Sequence, residues 1–260
     1  MKAPLFDYAR PRDVAEALQL LVQGGRPAAG TQSLGPMLNL RVAHPTLLVD
    51  IRQLEELRAV SQTPEAVTLG ACVTHAEIED RRVPDPTNGF MASVAANISY
   101  RAVRNRGTIG GSLAHADPAA DWPTALAALG ATALVAGPRG RREVPVDSFI
   151  TGIFSTVLEE DELLVAIRIP RRSARARYGY WKFCRKAGEF AQAIGAALKD
   201  PERNESRAVI GALPGPPYLV PNGQLTEKAL AAVGDDAYSR QLHAVALRRA
   251  IAQVVQQGDT

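Results

Sequence analysis

Cysteine is nearly missing from this chain: Cys72 and Cys184 are its only two, far apart in sequence. No disulfide framework can form from them, and no CxxC or CxxH spacing offers a metal site. Two such thiols suit a reducing cytoplasm, where they serve as small apolar residues. Histidine is almost as sparse. His44, His75, His115 and His243 show no ligand spacing, and neither HExxH nor GxSxG occurs. Lysine is limited to Lys2, Lys182, Lys186, Lys199 and Lys228, so the basic side is carried by arginine. The net charge is only +3, and the densest arginine cluster, Arg168 to Arg177, has no aromatic residue before Tyr178. That pattern fits a solvated strand end and linker, with part of a docking face as the other reading. Nucleic acid is not expected, since no recognition motif accompanies the cluster. The uncharged run Trp122 to Pro138 is shorter than the ~20 residues of a bilayer span and is broken by Gly130 and Gly137. The opening residues Met1 to Tyr8 contain no apolar stretch of leader length. A cytoplasmic protein without membrane insertion is expected.

The remainder is of ordinary globular composition, 46% hydrophobic and 22% charged. Over 260 residues that permits one large domain or two smaller ones. A helix is expected over 12–23, capped by Asp13 and ended by Gly24-Gly25. Residues 46–51 read as a short apolar strand, and 59–61 with 66–71 as a hairpin around Thr63-Pro64. Thr74-His75-Ala76-Glu77 is a capping box opening a helix to Arg81. Further helices are expected over 88–100, 122–129, 224–233 and 238–257. Strands are expected over 132–136, 147–150 and 163–169. The segments 179–185, 192–198 and 207–213 are expected to form an antiparallel sheet. Arg101 to Asp121 is the least regular stretch. Helices and strands without strict alternation argue for an α+β fold.

Two glycine-rich loops carry the chemical interest. The first is Ala28-Ala29-Gly30-Thr31-Gln32-Ser33-Leu34, and the second runs from Arg106 to Asp121 through Gly107-Thr108-Ile109-Gly110-Gly111-Ser112. Small residues leave the amides uncovered, so consecutive N–H groups can converge on a phosphate oxygen. Thr31, Ser33, Thr108 and Ser112 add hydroxyls. Two such loops suit both phosphates of a dinucleotide without a charged side chain. Ordinary fingerprints fail, however. Gly25 to Thr31 has P-loop glycine spacing but no lysine, and no GxGxxG exists. His115-Ala116-Asp117 reads better as a helix-entry turn than as a catalytic pair. Trp122 reads as core.

These residues resemble a known family. Ala29 to Leu34 with Pro36 and Arg41, together with Arg104-Asn105-Arg106-Gly107-Thr108-Ile109-Gly110-Gly111-Ser112 through to Pro123, are similar to the FAD-binding medium subunit of molybdenum hydroxylases. These are enzymes of the carbon monoxide dehydrogenase and xanthine dehydrogenase type. Phe6-Asp7-Tyr8, Glu162 to Pro170 and Lys182 to Ala191 extend the similarity over nearly the whole chain.

The resemblance implies a two-subdomain FAD-binding domain of the vanillyl-alcohol-oxidase (PCMH-like) type over 1–173, divided at about 54/55. A small α/β C-terminal domain with an antiparallel sheet and helices would occupy 174–260 and cover the isoalloxazine. Ala28, Ala29, Gly30, Thr31, Gln32, Ser33 and Leu34 would wrap the pyrophosphate through their amides. Thr108, Gly110, Gly111 and Ser112 would complete that cradle. Asp121 would bond a sugar or ribitol hydroxyl, and Leu164 and Lys182 would line the flavin. No catalytic or metal-ligating residue is implied. FAD would be held non-covalently. The molybdenum cofactor and the [2Fe–2S] clusters would sit only in a large and a small partner subunit, in a dimer of heterotrimers. The role implied is passage of electrons from those clusters to an external acceptor. Three positions depart from the family pattern. Ala29 replaces a glycine and requires negative φ there, Ser112 replaces an asparagine, and Phe190 replaces a tyrosine near the flavin. Two rivals follow: a stand-alone flavin oxidase tethered at His44 or His75, and a scaffold that has lost FAD.

Overall fold

The computed structural model describes residues 2–223 and 226–256. The first strand β1 (Asp7–Ala9) leads to helix α1 (Val14–Val22), and β2 (Arg26–Ala28) follows. Asp13 caps α1 by accepting from the Glu16 amide at 2.8 Å. Val14, Ala17 and Leu21 lie on its buried face, against Val49, Ile51, Leu54 and Leu57. Gly24, at φ 85°, closes the helix, its amide donating to Leu21 O. Next come α2 (Leu34–Asn39) and β3 (Leu47–Asp50), which makes a parallel three-stranded sheet in the order β1-β3-β2.

The chain then passes through α3 (Glu55–Arg58), β4 (Val60–Gln62) and β5 (Ala66–Gly70). Five helices follow: α4 (His75–Glu79), α5 (Phe90–Ala96), α6 (Arg101–Arg104), α7 (Ile109–His115) and α8 (Asp121–Leu129). The expected capping box at Thr74 and Glu77 opens α4, both reciprocal bonds being present. After β6 (Thr132–Gly137) and β7 (Gly140–Pro145) come the short β8 (Ile150–Gly152) and β9 (Ser155–Thr156), and then β10 (Leu163–Pro170). An antiparallel sheet of order β4-β5-β10-β6-β7 results. Every residue of α8 is buried, and Trp122, Leu126 and Leu129 join the largest core with Ile109, Leu113, Leu164 and Ile167.

Two expectations need correction. Arg101 to Asp121 is mostly helical, since α6 and α7 lie within it. Glycines at 110 and 111 are poor helix formers, but packing against residue 71 overrides propensity there. Residues 146–148 form a 3-10 turn rather than a strand, and only Ile150 onward pairs.

The third sheet is antiparallel, with β11 (Arg177–Phe183), β12 (Ala193–Asp200), β13 (Glu205–Gly211) and β14 (Tyr218–Leu219) in sequential order. Helices α9 (Glu227–Ala231) and α10 (Ala237–Gln256) complete the fold. Positions 224, 225 and 257 of the helices expected there lie outside the described residues. Helix α10 lies directly on the sheet because Gly179 and Gly195 have no side chain. A Cβ on Gly179 would fall 1.9 Å from Ala250 O, and one on Gly195 2.5 Å from the Leu247 Cα. The mixed elements and antiparallel sheets give the expected α+β class. Among the described residues no helix is long and apolar enough to cross a membrane.

Candidate functional site

The first loop leaves β2 and enters α2. It contains one strained residue: Thr31 sits at φ 58°, in the left-handed region that β-branched side chains avoid. The Gln32 amide side chain donates back to Gly30 O at 3.0 Å, and Thr31 O accepts from the Gly35 amide at 2.8 Å. The amides of Gly30, Thr31, Gln32 and Ser33 make no hydrogen bond among the described residues. Ser33 stands at the N-cap of α2, yet its hydroxyl caps nothing. A row of donors is thus left open on a half-buried loop. Ala29 keeps φ out of the positive range, as its methyl requires.

The second loop lies against the first. A Cβ on Gly30 would fall 2.1 Å from Arg106 O and 2.8 Å from the Gly107 Cα. A Cβ on Gly111 would fall 2.7 Å from Thr108 Oγ1 and 3.7 Å from the Ala29 Cβ. The first loop therefore approaches the second this closely only because residue 30 is a glycine, whereas the lack of a side chain at Gly111 makes room for the Thr108 cap. The amides of the second loop, expected to face an anion, are committed elsewhere. Ile109 donates to Val73 O, Gly110 to Ala71 O and Ser112 to Thr108 O, each at 3.0 Å, and Gly111 donates to Thr108 Oγ1 at 3.1 Å. Thr108 is the N-cap of α7, so its side chain closes the helix rather than an open cradle. What the second loop still offers is the Thr108 amide and the Ser112 hydroxyl, both unbonded among the described residues, and the Thr108 hydroxyl proton.

Asp121 opens α8 and is 5% exposed. Its carboxylate accepts from Tyr180 Oη at 2.6 Å and from Lys182 Nζ at 3.1 and 3.0 Å. Lys182 also donates to Asn97 O at 3.1 Å. Burial drives the Asp121 carboxyl above the ordinary carboxylate value, and the Lys182 ammonium opposes it. Burial and the adjacent carboxylate raise the Tyr180 phenol well above its usual value, which keeps the donated proton on Oη. Both oxygens of Asp121 thus have protein donors, two on Oδ1 and one on Oδ2, which leaves acceptor capacity on Oδ2 for the expected ligand hydroxyl. This cluster joins α8 to β11 across 61 residues of sequence. Lys182 lines a cavity of about 800 Å³ between α5 and β11. Leu164 is 3% exposed and packs in the core from β10. Phe190 is exposed.

Sequence reasoning missed Tyr180, and it named His75 without its bond to Trp122. The alternation Tyr178-Tyr180-Lys182 places all three on one face of β11, which was a usable signal. His75 is the first residue of α4, and its Nδ1 accepts from the Trp122 indole N–H at 3.0 Å. His115 packs its ring against Phe154 at 5.0 Å between centroids, tilted by 37°. No cluster of three or more metal-ligating side chains exists among the described residues.

The arrangement so far is an open row of amides at a helix start and, on α8 and β11, a buried ion pair. Comparison with known proteins gives the family. A family model described as the FAD binding domain in molybdopterin dehydrogenase matches residues 4–172. The carbon monoxide dehydrogenase medium chain of Hydrogenophaga pseudoflava is 39% identical over 196 residues, covering 74% of this chain and 68% of that one. The 6-hydroxypseudooxynicotine dehydrogenase complex subunit alpha of Paenarthrobacter nicotinovorans is 36% identical over 222 residues, covering 83% and 74%. A solved carbon monoxide dehydrogenase from Hydrogenophaga pseudoflava, lacking the Mo-pyranopterin moiety, superposes with a TM-score of 0.89 at 31% identity over 99% of both chains. This chain belongs to the family of FAD-binding domains of molybdopterin dehydrogenases.

Proposed function

We propose that the chain is the FAD-binding, electron-transferring medium subunit of a molybdenum hydroxylase. One observation carries the reading: the unbonded amides of Gly30 to Ser33, with Thr31 held at φ 58°, stacked on a second loop through Gly30. Strain of that kind persists where the surrounding structure enforces it, and it clusters at ligand sites. The donor set suits a pyrophosphate, since convergent amides bind anions without a charged side chain.

In this reading Ala28, Ala29, Gly30, Thr31, Gln32, Ser33 and Leu34 hold the pyrophosphate. Thr108, Gly110 and Gly111 set the backing surface, and Ser112 adds a hydroxyl. The Asp121–Lys182 pair orients β11 beside the flavin, with Leu164 supporting that wall from the core. FAD, when bound, supplies a carrier that accepts a pair of electrons and releases them to another acceptor. The residues of this chain bind it, orient it and exclude water. The proposed division is an FAD-binding domain over 1–173, with subdomains meeting near 54/55, and a C-terminal domain over 174–260.

The partners in this reading are a large molybdenum-cofactor subunit and a small [2Fe–2S] subunit, assembled as a dimer of heterotrimers in the cytoplasm. Substrate oxidation belongs to the large subunit. Non-covalent attachment follows from the two tether candidates. His75 is buried with Nδ1 occupied by Trp122, and His44 is turned to Arg41 O at 2.8 Å. Acid precipitation of the loaded protein tests this: all flavin should enter the supernatant, and flavin left on the pellet favours the oxidase reading. The isolated, FAD-loaded chain should pass electrons from a strong reductant to a dye but oxidise no organic substrate. Substrate turnover without other subunits would overturn the assignment.

A further inference from the structure

His75 has no positive role in the proposed function, yet three contacts converge on it, and a fourth on the residue before it. Its backbone amide donates to Gly107 O at 2.9 Å. The preceding residue, Thr74, forms an antiparallel bridge with Thr108. The Trp122 indole N–H donates to its Nδ1 at 3.0 Å. Its ring edge, Cδ2 and Nε2, occupies the space a side chain at 107 would need, 2.8 Å from where a Cβ would stand. The imidazole is 5% exposed and Trp122 fully buried.

We propose that His75 is the positioning residue of the second glycine-rich loop, acting as a neutral ring whose proton is on Nε2. The tautomer follows from the donor inventory. An indole nitrogen only donates, so the nitrogen facing it must present a lone pair. A proton on Nδ1 would set two donors against each other 3.0 Å apart. The surroundings agree: burial, with the Arg104 guanidinium nearby, holds the ring at a pKa of about 3, far below its usual value.

The consequence runs through geometry. Residues 107 to 110 are fastened to the segment 71–75 by the His75, Ile109 and Gly110 amides. The His75 ring fixes how closely Gly107 approaches α4, and the Trp122 bond fixes the ring. Gly30 of the first loop rests on Arg106 O and the Gly107 Cα. The height at which the open amides are held is therefore set by an imidazole beneath them. His75 touches neither the open amides nor Ser112, so its influence is indirect.

The proposal's link to FAD rests on the function proposed above; its geometric part does not. Two variants separate acceptor from bulk. His75→Asn places an oxygen where Nδ1 stands, and His75→Phe keeps the ring but removes the acceptor. In the full FAD-free chain, amide hydrogen exchange across 105–115 should run roughly tenfold faster in His75→Phe and remain near the parent rate in His75→Asn. The parent should bind FAD about tenfold more tightly than His75→Phe and within a few-fold of His75→Asn. Equal behaviour of the two variants overturns the acceptor role. Should His75→Phe fail to fold, nitrogen NMR of the parent imidazole at neutral pH decides the matter. A proton on Nε2 alone supports the proposal, and a proton on Nδ1 or on both nitrogens overturns it. If the parent binds no FAD while the exchange difference persists, the function fails and the positioning role stands.

Discussion

Asp121 and Lys182 show how burial changes the meaning of a residue. An exposed Asp121 would be expendable to the fold and would affect only a ligand hydroxyl. Buried against an ammonium whose side chain is itself 7% exposed, it neutralises a largely desolvated charge. Removing one partner of such a pair costs about 3–5 kcal/mol, because the other is stranded. Asp121→Ala should therefore lower the stability of the FAD-free chain by that order in a denaturant titration. The pair Asp121→Leu with Lys182→Met should lose much less than Asp121→Ala alone. An Asp121→Ala chain as stable as the parent but weak in FAD binding would assign Asp121 to a ligand hydroxyl rather than to the fold. His75 supplies a second test at this scale. Its pKa is pushed from the ordinary 6.5 to about 3 on folding, so the unfolded chain binds the proton first. The stability it contributes is complete above pH 6.5 and falls as pH drops below that value, with a slope approaching about 1.4 kcal/mol per unit. Arg104 on α6 deepens the effect, and the Trp122 indole cannot relieve it. Between pH 6.5 and 5, His75→Asn should lose stability less steeply than the parent; parallel curves would mean the imidazole takes up its proton as readily in the folded chain as in the unfolded one.

At the scale of elements, the local signals in the sequence held and the distant ones were absent. Asp13 before Val14, and Thr74 with Glu77, are caps written in adjacent residues, and both helices start there. The hairpin around Thr63-Pro64 and the antiparallel run of β11 to β13 follow from alternation and turn residues. The second glycine-rich loop was legible as special but not as a helix. Its start is stabilised by Ala71 and Val73, more than 30 residues earlier, and no local pattern reports that contact. Tyr180 and Lys182 were likewise invisible as partners of Asp121, since pairing across two elements leaves no spacing to read. Glycines at element contacts lend themselves to direct tests. Gly179→Ala would press a methyl into Ala250 O and separate α10 from β11. The expected loss is about 1–3 kcal/mol, from thermal unfolding of the full chain. Gly111→Val should abolish FAD binding, because its Cβ meets Thr108 Oγ1 and breaks the cap of α7. Ser112→Asn, on the open side, should keep or improve it. FAD bound equally by both variants and the parent would remove the second loop from the site.

Across the whole molecule, the arginine cluster is mostly spent on the fold. Arg168 pairs with Glu143, Arg171 bonds Thr63 O and the Gln62 side chain, and Arg172 bonds Leu129 O and Glu205. The Arg172 side chain is only 8% exposed, so charge reversal there should destabilise the chain rather than report on docking. Arg175 is exposed and remains the position at which a partner contact can be tested, by pull-down with the other subunits at moderate salt. Unchanged capture by Arg175→Glu would take the cluster out of the interface. The central claim concerns the two stacked loops, and titration of FAD into the purified chain tests it most directly, with flavin fluorescence as the signal. Saturable binding of one FAD per chain is expected, abolished by Gly30→Val, whose Cβ would force the first loop off Arg106 O. No saturable binding to a folded parent chain, or binding as tight in a folded Gly30→Val chain, would contradict it.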